Sequence, residues 1–334
     1  MKNYHNLIDQ YSDTLLSCSH VVGVGFGPKR KQGEKIGEKA IVILVDQKVP
    51  KDELPNKDIV PQKLGSYKTD VVEIGKLEFL GARRKRVRPA QPGVSIGHYK
   101  ISAGTLGAVV RDKRSGQPLI LSNNHVLANL SNGRDGRAQT GDSILQPGKY
   151  DNGLQSEDVI AYLERFIPIY SGMGSSSCPL AALAESVVNN VLHFFRPDYS
   201  FKLYKEKPKN SVDCALAKPI NDDILKEEIL GIGEIAGTAD YEIGTNVKKS
   251  GRTTGVTTGK IKVIDTTVEI NMSETESAVF ENQFITDPMS SPGDSGSVVL
   301  NKENKAVGLL FAGSGYASVC NDIHLVCDAL DIRL

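Results

Sequence analysis

The sequence has no excess of charge of either sign, few cysteines and no long apolar run. Forty basic and forty acidic side chains give a formal net charge of zero at neutral pH. The chain therefore has no overall field that would attract a polyanion or an anionic membrane. We expect neither nucleic acid nor a membrane among its partners.

The five cysteines are too few and too scattered to form a framework. Their number is odd and no two form a Cys-x-x-Cys pair, which argues against both a set of disulfides and a zinc site. We expect reduced, mostly buried thiols, no metal and no cofactor. The cysteines are Cys18, Cys178, Cys214, Cys320 and Cys327.

Neither the first residues nor the longest apolar stretch indicates export or membrane insertion. Residues 1–18 mix charged and amide side chains into every turn, unlike the apolar centre of a secretory signal. The stretch 178–195 contains Glu185, Asn189, Asn190 and His193, so it is too polar for the roughly 20 residues of a spanning helix. These features predict a cytoplasmic protein.

What the chain does have is an ordinary globular composition, with 40% hydrophobic and 24% charged residues over 334 positions. That length suits two or three compact units of roughly 100 to 200 residues each. Residues 1–80 predict a small α+β domain, with a helix near 3–17 and strands near 21–26, 40–45 and 69–74. Residues 81–93 combine a run of Arg and Lys with two prolines, which predicts an exposed linker.

From residue 94 onward the sequence consists of short β-rich runs separated by Gly, Asn and Asp, a pattern that favours a sandwich or barrel. Residues 165–210 are the exception, because apolar residues recur there at helical spacing. We expect an amphipathic helix inserted in a β domain. Its apolar stripe is expected to pack against the barrel, with contact to a partner or a lid near a cleft as the alternatives.

The segment SSPGDSGSVVL, residues 290–300, carries the clearest chemistry. Ser295 lies between two glycines, which permit the tight turn a nucleophile needs. The backbone amides of Gly293 and Ser295 could then point at one spot and stabilise the oxyanion formed when Ser295 attacks a carbonyl.

Two further segments supply the base and the carboxylate that a serine nucleophile needs. His125 follows a buried strand, and Asp213 precedes an apolar run. A neutral imidazole is needed to take the hydroxyl proton, and a buried carboxylate is needed to fix its tautomer. Asp158 also precedes an apolar run and is the rival for the carboxylate. The chain order His, Asp, Ser is that of the chymotrypsin type.

With these three segments in this order, the chain from residue 94 to its end resembles the chymotrypsin-like serine peptidases. The segment KKSGRTTGVTTGKI, residues 248–261, looks like the hairpin that opens the second barrel in the bacterial streptogrisin and alpha-lytic branch. Secreted members of that branch have a disulfide at the positions of Lys248 and Thr258, and this chain has neither cysteine. The whole chain, including VGVGFGP, TDVVEIG and GLLFAGS, also resembles bacterial relatives of the plant narrow-leaf trypsin-like protease.

The resemblance implies a mainly β fold with two six-stranded antiparallel β-barrels, residues 94–232 with the helical insertion and residues 233–334. It implies a serine endopeptidase in which His125 is the general base, Asp213 orients it and Ser295 is the nucleophile. It favours Asp213 over Asp158, because the family's carboxylate lies closer to the second barrel. It also allows a homo-oligomer.

The resemblance also places the specificity pocket. In the family that pocket is lined by the positions of Met289, Phe311, Ala312 and Gly313, and no carboxylate occupies its base here. Burying an unpaired Lys or Arg side chain against Met289 would be costly, so we expect an apolar or small residue before the scissile bond. The substrate is expected to be a protein or peptide with an extended segment that pairs beside Gly313.

Several alternatives remain open at this point. Cleavage in the basic run would leave Pro89 or Ala90 first, unlike the apolar, branched terminus that activates digestive zymogens. An enzyme active without cleavage is therefore favoured over a removed propeptide, and control by residues 1–80 is also possible. A different class is a protease-fold scaffold that binds partners without activity. A further hypothesis is that the enzyme cuts one dedicated partner in a bacterial stress or defence response.

Overall fold

A computed structural model describes residues 3–31, 34–75, 81–100, 103–171, 179–203, 209–273 and 276–334. The chain divides into two compact units, unit 1 from Met1 to Ala82 and unit 2 from Arg83 to Leu334. Cys178 lies outside the described residues. No helix in the described ranges is long and apolar enough to cross a membrane.

Unit 1 is a four-stranded sheet with one helix, as the predicted α+β domain requires. Its strands follow the order β1-β2-β4-β3, with β1 antiparallel and β4 parallel to β2. Its core includes Leu15, Ile41, Ile43 and Leu64, all of them buried. The elements are α1 (Asn3–Leu16), β1 (Val21–Lys31), β2 (Glu34–Val45), β3 (Lys63–Leu64) and β4 (Tyr67–Glu73).

Unit 2 contains the remaining elements. Its helices are α2 (Asn124–Leu127), α3 (Pro179–Phe195) and α4 (Ile323–Leu330). Its strands are β5 (Ser95–His98), β6 (Gly104–Thr105), β7 (Ala108–Asp112), β8 (Pro118–Ser122), β9 (Ser143–Leu145), β10 (Val159–Phe166), β11 (Lys209–Asn210), β12 (Ala215–Pro219), β13 (Asn246–Gly251), β14 (Gly255–Asn271), β15 (Ser277–Thr286), β16 (Val298–Leu300), β17 (Ala306–Gly313), β18 (Ser318–Asp322) and β19 (Ile332–Arg333).

The first barrel closes because β6 continues into β7. The amide of Leu106 donates to Val94 O at 2.9 Å and that of Gly107 donates to Leu121 O at 3.0 Å. Residues 104–112 therefore act as one bent strand that pairs with β5 at one end and β8 at the other. The ring continues through β12, β10 and β9 and returns to β5.

The second barrel closes through the pairing of β15 with β18. The ring runs β15-β14-β13-β16-β17-β18, so each barrel has six members. This confirms the predicted double-barrel fold of the chymotrypsin type. A shared core of β7, β8, β12, β16, β17 and α4 side chains, including Leu121, Leu216, Leu309 and Val326, joins the two barrels.

Residues 81–93 differ in part from the predicted exposed linker. Residues 84–86 are exposed, but Arg83 is only 8% exposed. Its Nη1 donates to Ser250 Oγ at 2.6 Å, on β13 of the second barrel. Ala90 is fully buried, and its amide donates to Ile224 O at 2.6 Å. Part of this basic run is therefore built into unit 2.

The insertion contains the predicted helix, α3, but the prediction that its apolar stripe packs against the barrel is wrong. None of its described residues is buried, and Leu183 is 63% exposed. The polar side chains contact the returning chain instead: Glu185 accepts from the amide of Leu203 at 2.7 Å, and Asn189 exchanges two hydrogen bonds with the backbone of Phe201. Helical spacing identifies an apolar face but not which face will be covered.

Candidate active site

His125 lies where β8 ends and the one-turn helix α2 begins. Two buried asparagines fix this turn. Asn123 Nδ2 donates to Asp213 O at 2.7 Å, and Asn124 Nδ2 donates to the carbonyls of Ser131 and Ile167. The imidazole is held at the surface of a cavity, with 24% of the side chain exposed.

Asp213 lies just before β12, and its backbone is held by two hydrogen bonds from the second barrel. The side chain of Asn321, on β18, accepts from the amide of Asp213 at 2.9 Å and donates to its carbonyl at 3.2 Å. Sequence reasoning missed Asn123 and Asn321. The available signal was an amide side chain within or beside an apolar strand, where it must find a buried partner.

The carboxylate of Asp213 faces the ring of His125. Oδ2 lies 2.5 Å from Nδ1, and Oδ1 accepts from the backbone amide of His125 at 3.3 Å. A carboxylate can only accept hydrogen bonds when ionised, so Nδ1 must carry the proton and Nε2 is left as the acceptor. The side chain of Asp213 is only 3% exposed. This is the arrangement a general base requires.

Ser295 shares a cavity of about 630 Å³ with His125 and Asp213. Its hydroxyl donates to the carbonyl of Phe311 at 3.3 Å and makes no hydrogen bond to His125. The structure therefore brings the three predicted side chains to one cavity, with the serine turned toward Phe311.

The backbone around Gly293 is held in one orientation. The hydroxyl of Thr253 donates to Pro292 O at 2.8 Å, and that of Thr105 donates to Gly293 O at 3.0 Å. Because a trans peptide is planar, the N–H of Gly293 points away from Thr253. Among the residues that the structure describes, neither this amide nor that of Ser295 has an acceptor. Both are free to bind an oxyanion.

Only glycine fits at position 293. Its φ is +98°, and a Cβ there would lie 2.3 Å from Arg252 Nη1. Arg252 is itself fixed by a buried ion pair with Asp151, in which the two side chains are 4% and 7% exposed. The same guanidinium donates to Thr253 Oγ1 at 3.0 Å. An ion pair between the barrels thus supports the turn that carries Gly293.

Asp294, which precedes the serine, is fully buried and pairs with Lys249 of β13. It also accepts from the amides of Ser291, Thr253 and Thr254. Burial alone would raise the pKa of Asp294, but Lys249 and the hydrogen bonds from Thr254 and Ser291 together lower it. Burial lowers the pKa of Lys249, against the opposing attraction of Asp294.

The predicted specificity residues divide into two groups. Phe311, Ala312 and Gly313 line the cavity, but Met289 does not. Met289 is 3% exposed and packs in the core of the second barrel, so its predicted position in the pocket is corrected. Consecutive residues of an extended chain point to opposite sides, and Ser290 faces the cavity in its place.

One wall of the cavity is apolar and is formed largely by the long hairpin of β14 and β15. Ile270, Met272 and Phe280 belong to this wall. In the turn between β14 and β15, Glu276 accepts from Arg137 of the first barrel at 3.2 and 3.3 Å. The hairpin therefore reaches across the cleft between the barrels.

Metal ligands are not grouped in this site. Within the described ranges, no three His, Cys, Asp or Glu side chains are placed to hold a metal ion. Cys18, Cys214, Cys320 and Cys327 are free, and all but Cys18 are buried. Burial raises the pKa of the Cys327 thiol to about 11, which disfavours the reactive thiolate there.

No family model and no curated protein matches this chain. Solved structures of bacterial proteases do. The chain is similar to the Nocardiopsis protease NAPase, with 16% identity over 73% of this chain and 99% of that one and a TM-score of 0.46. Thermobifida fusca protease A matches with 14% identity, 73% and 98% coverage and a TM-score of 0.45. A glutamic acid specific serine protease matches with 16% identity, 73% and 100% coverage and a TM-score of 0.46.

The printed names of all three neighbours describe proteases. At such identity and TM-score, the activity proposed below depends on the geometry of His125, Asp213 and Ser295.

Proposed function

We propose that this chain is a serine endopeptidase that hydrolyses peptide bonds through an acyl-enzyme. The observation that carries the proposal is the contact between His125 Nδ1 and the buried carboxylate of Asp213, in the cavity that also holds Ser295. A serine hydroxyl is a weak nucleophile unless a base stands ready to take its proton. The paired imidazole provides that base.

In the proposed reaction Ser295 turns from Phe311 and attacks the substrate carbonyl while His125 Nε2 takes the hydroxyl proton. The amides of Gly293 and Ser295 bind the oxyanion of the tetrahedral intermediate. His125 then gives its proton to the leaving amine, and the carbon–nitrogen bond breaks. Water, deprotonated in turn by His125, cleaves the acyl ester and regenerates Ser295.

We further propose that the residue before the scissile bond is apolar or small. Among the described residues lining the cavity, Asp213 is the only acid, and it is already paired with His125. A Lys or Arg side chain of the substrate would find no free carboxylate there. A peptide library should show preference for apolar or small side chains, and a strong preference for Lys or Arg would refute this specificity.

The proposed compartment is a reducing cytoplasm. Lys248 pairs directly with Thr258 across the hairpin of β13 and β14, at the positions where the secreted relatives have a disulfide. Fractionation of the native cells tests the location. The proposal that the substrate is one dedicated partner in a stress or defence response is tested by trapping substrates on Ser295→Ala.

Reaction with a fluorophosphonate tests the activity itself. We expect the wild type to be labelled, and labelling to vanish in Ser295→Ala and in His125→Ala, whose serine is intact. Ser156→Ala, at an exposed serine away from the cavity, is the matched control and should be labelled as the wild type is. An unlabelled but folded wild type would overturn the proposal in favour of a protease-fold scaffold.

A further inference from the structure

Unit 1 contains a cavity of about 460 Å³ that the proposed protease reaction does not use. It is lined by residues from the start of β1, the end of β2, the crossover 47–63 and the strand β4. Its volume lies within the range of about 300 to 1,000 Å³ that is typical of small-molecule sites.

Much of the lining is apolar. Val21, Val45 and Val71 come from the three long strands of the sheet, and Leu54 and Ile59 come from the crossover. Val21 is 9% exposed and Val45 is 5% exposed, so the inner surface belongs to the core of the unit. Such a surface would accommodate the apolar body of a ligand.

Cations are concentrated around this cavity in a chain that has no net charge. Five lysines line it, against one carboxylate, that of Asp58. Lys29 donates to Thr69 O and Lys68 pairs with Glu38. The ammonium groups of the other three, Lys48, Lys51 and Lys63, form no ion pair in the described part of the chain, although the backbone amide of Lys48 donates to Glu73 Oε2 at 3.1 Å.

The single carboxylate is also distinctive. Asp58 is 3% exposed, and hydrogen bonding by the side chain and backbone of Ser19 lowers the pKa of its carboxyl. Its Oδ2 is buried and has no hydrogen-bond partner within the described ranges. Buried polar atoms are normally paired, so an acceptor left over in a cavity wall indicates a missing donor.

We propose that this cavity binds a small organic anion whose apolar body lies against the valines and whose acidic group lies among Lys48, Lys51 and Lys63. A hydroxyl or N–H of the same ligand is the donor available to Asp58. The lysines select the charge, and the strand side chains select the body.

Two probes that share one skeleton separate these contributions. One is 8-anilinonaphthalene-1-sulfonate, and the other is N-phenyl-1-naphthylamine, which lacks the sulfonate. Fluorescence titration of the full chain should give one sulfonate probe per chain. In Lys48→Gln/Lys63→Gln the sulfonate probe should bind about tenfold more weakly, equivalent to about 1.4 kcal/mol, with the neutral probe unchanged.

The control is Lys39→Gln, which removes an exposed lysine of unit 1 that does not line the cavity. It should bind both probes as the wild type does. Val49→Phe, which fills the cavity, should weaken both. Circular dichroism checks that each variant is folded.

Equal affinity of the two lysine variants for the sulfonate probe would overturn the proposal, because the probe would then be bound elsewhere, such as at the exposed face of α3. An equal loss for the neutral probe would also overturn it, because charge would not be what the lysines recognise. Neither outcome bears on the labelling of Ser295, so the protease proposal is tested independently.

Discussion

The Nζ atom of Lys249 lies 3.1 Å from Oδ2 of Asp294, and neither side chain is exposed to solvent. Lys249 also donates to Gly255 O at 3.0 Å and to the hydroxyl of Thr254. An internal ammonium thus neutralises the buried carboxylate of the residue before Ser295.

Replacing Lys249 by Met keeps the length of the side chain but leaves Asp294 buried without its cation. Breaking a buried pair in this way costs about 3 to 5 kcal/mol. We expect a fall of that order in the free energy of unfolding, measured in urea, and slower fluorophosphonate labelling at temperatures where the variant is folded. Lys248→Met, at the neighbouring and only partly buried lysine, is the control and should change little. Wild-type stability and labelling in Lys249→Met would contradict this role.

The sequence predicts the residues whose position depends on short segments. Ser295 lies in a tight turn, and His125 and Asp213 lie at strand ends, so local pattern and chain order make them candidates. The choice of Asp213 over Asp158 needs the resemblance to a family. Lys249 and Thr253 were not predicted because their roles arise from contacts with residues some 40 positions away.

The wrong predictions for Met289 and α3 also arise because the outcome depends on contacts with distant residues. The resemblance to a family predicts Met289 in the pocket, but the side of the chain on which its side chain lies depends on the core of the second barrel. The apolar stripe of α3 was read from its spacing, but its polar side chains make the contacts. The closure of both barrels was predicted from the resemblance to a family, because no periodicity encodes which strands pair.

Substitution of Thr253 tests whether its hydroxyl holds the turn that carries Gly293. Thr253→Val keeps the shape but removes the donor to Pro292 O, so the Pro292–Gly293 peptide can rotate. Loss of a direct oxyanion donor costs roughly 100- to 1,000-fold in kcat, and an indirect support should cost about tenfold. We expect kcat to fall with KM nearly unchanged in peptide hydrolysis.

Two companion variants make this prediction specific. Thr253→Ser retains the hydroxyl and should restore kcat, and Thr258→Val removes an exposed threonine of the same hairpin and should have no effect. If Thr253→Ser were as slow as Thr253→Val, the retained hydroxyl would not hold the turn, and the hydrogen bond to Pro292 O would not be what supports kcat.

The exposure of α3 can be tested with two leucines in helices. Leu330 of α4 is 1% exposed and Leu183 of α3 is 63% exposed. Leu330→Ala should lower the free energy of unfolding by about 2 to 5 kcal/mol, whereas Leu183→Ala should change it by less than about 0.5 kcal/mol. Denaturation of both variants checks this. A similar loss in the two would show that α3 is covered in solution.

Asp112 predicts an acid-dependent loss of stability. Its carboxylate accepts from the backbone and side chain of Ser115 and from Arg165, and these contacts hold the pKa of Asp112 well below its ordinary value of 3.8. The unfolded chain therefore binds a proton at a higher pH than the folded chain does. The stabilisation is fully present above pH 3.8 and is lost as the pH falls from there toward the folded-state pKa.

Asp112→Asn removes this titration. We expect the difference in unfolding free energy between wild type and variant to be largest near neutral pH and to shrink steadily below pH 3.8. Urea denaturation at a series of pH values measures it. Arg165 also donates to Leu330 O at 2.7 Å, so the same carboxylate anchors the end of α4 to the first barrel. A difference that stayed constant down to pH 2 would mean that Asp112 acts through its shape and not through its charge.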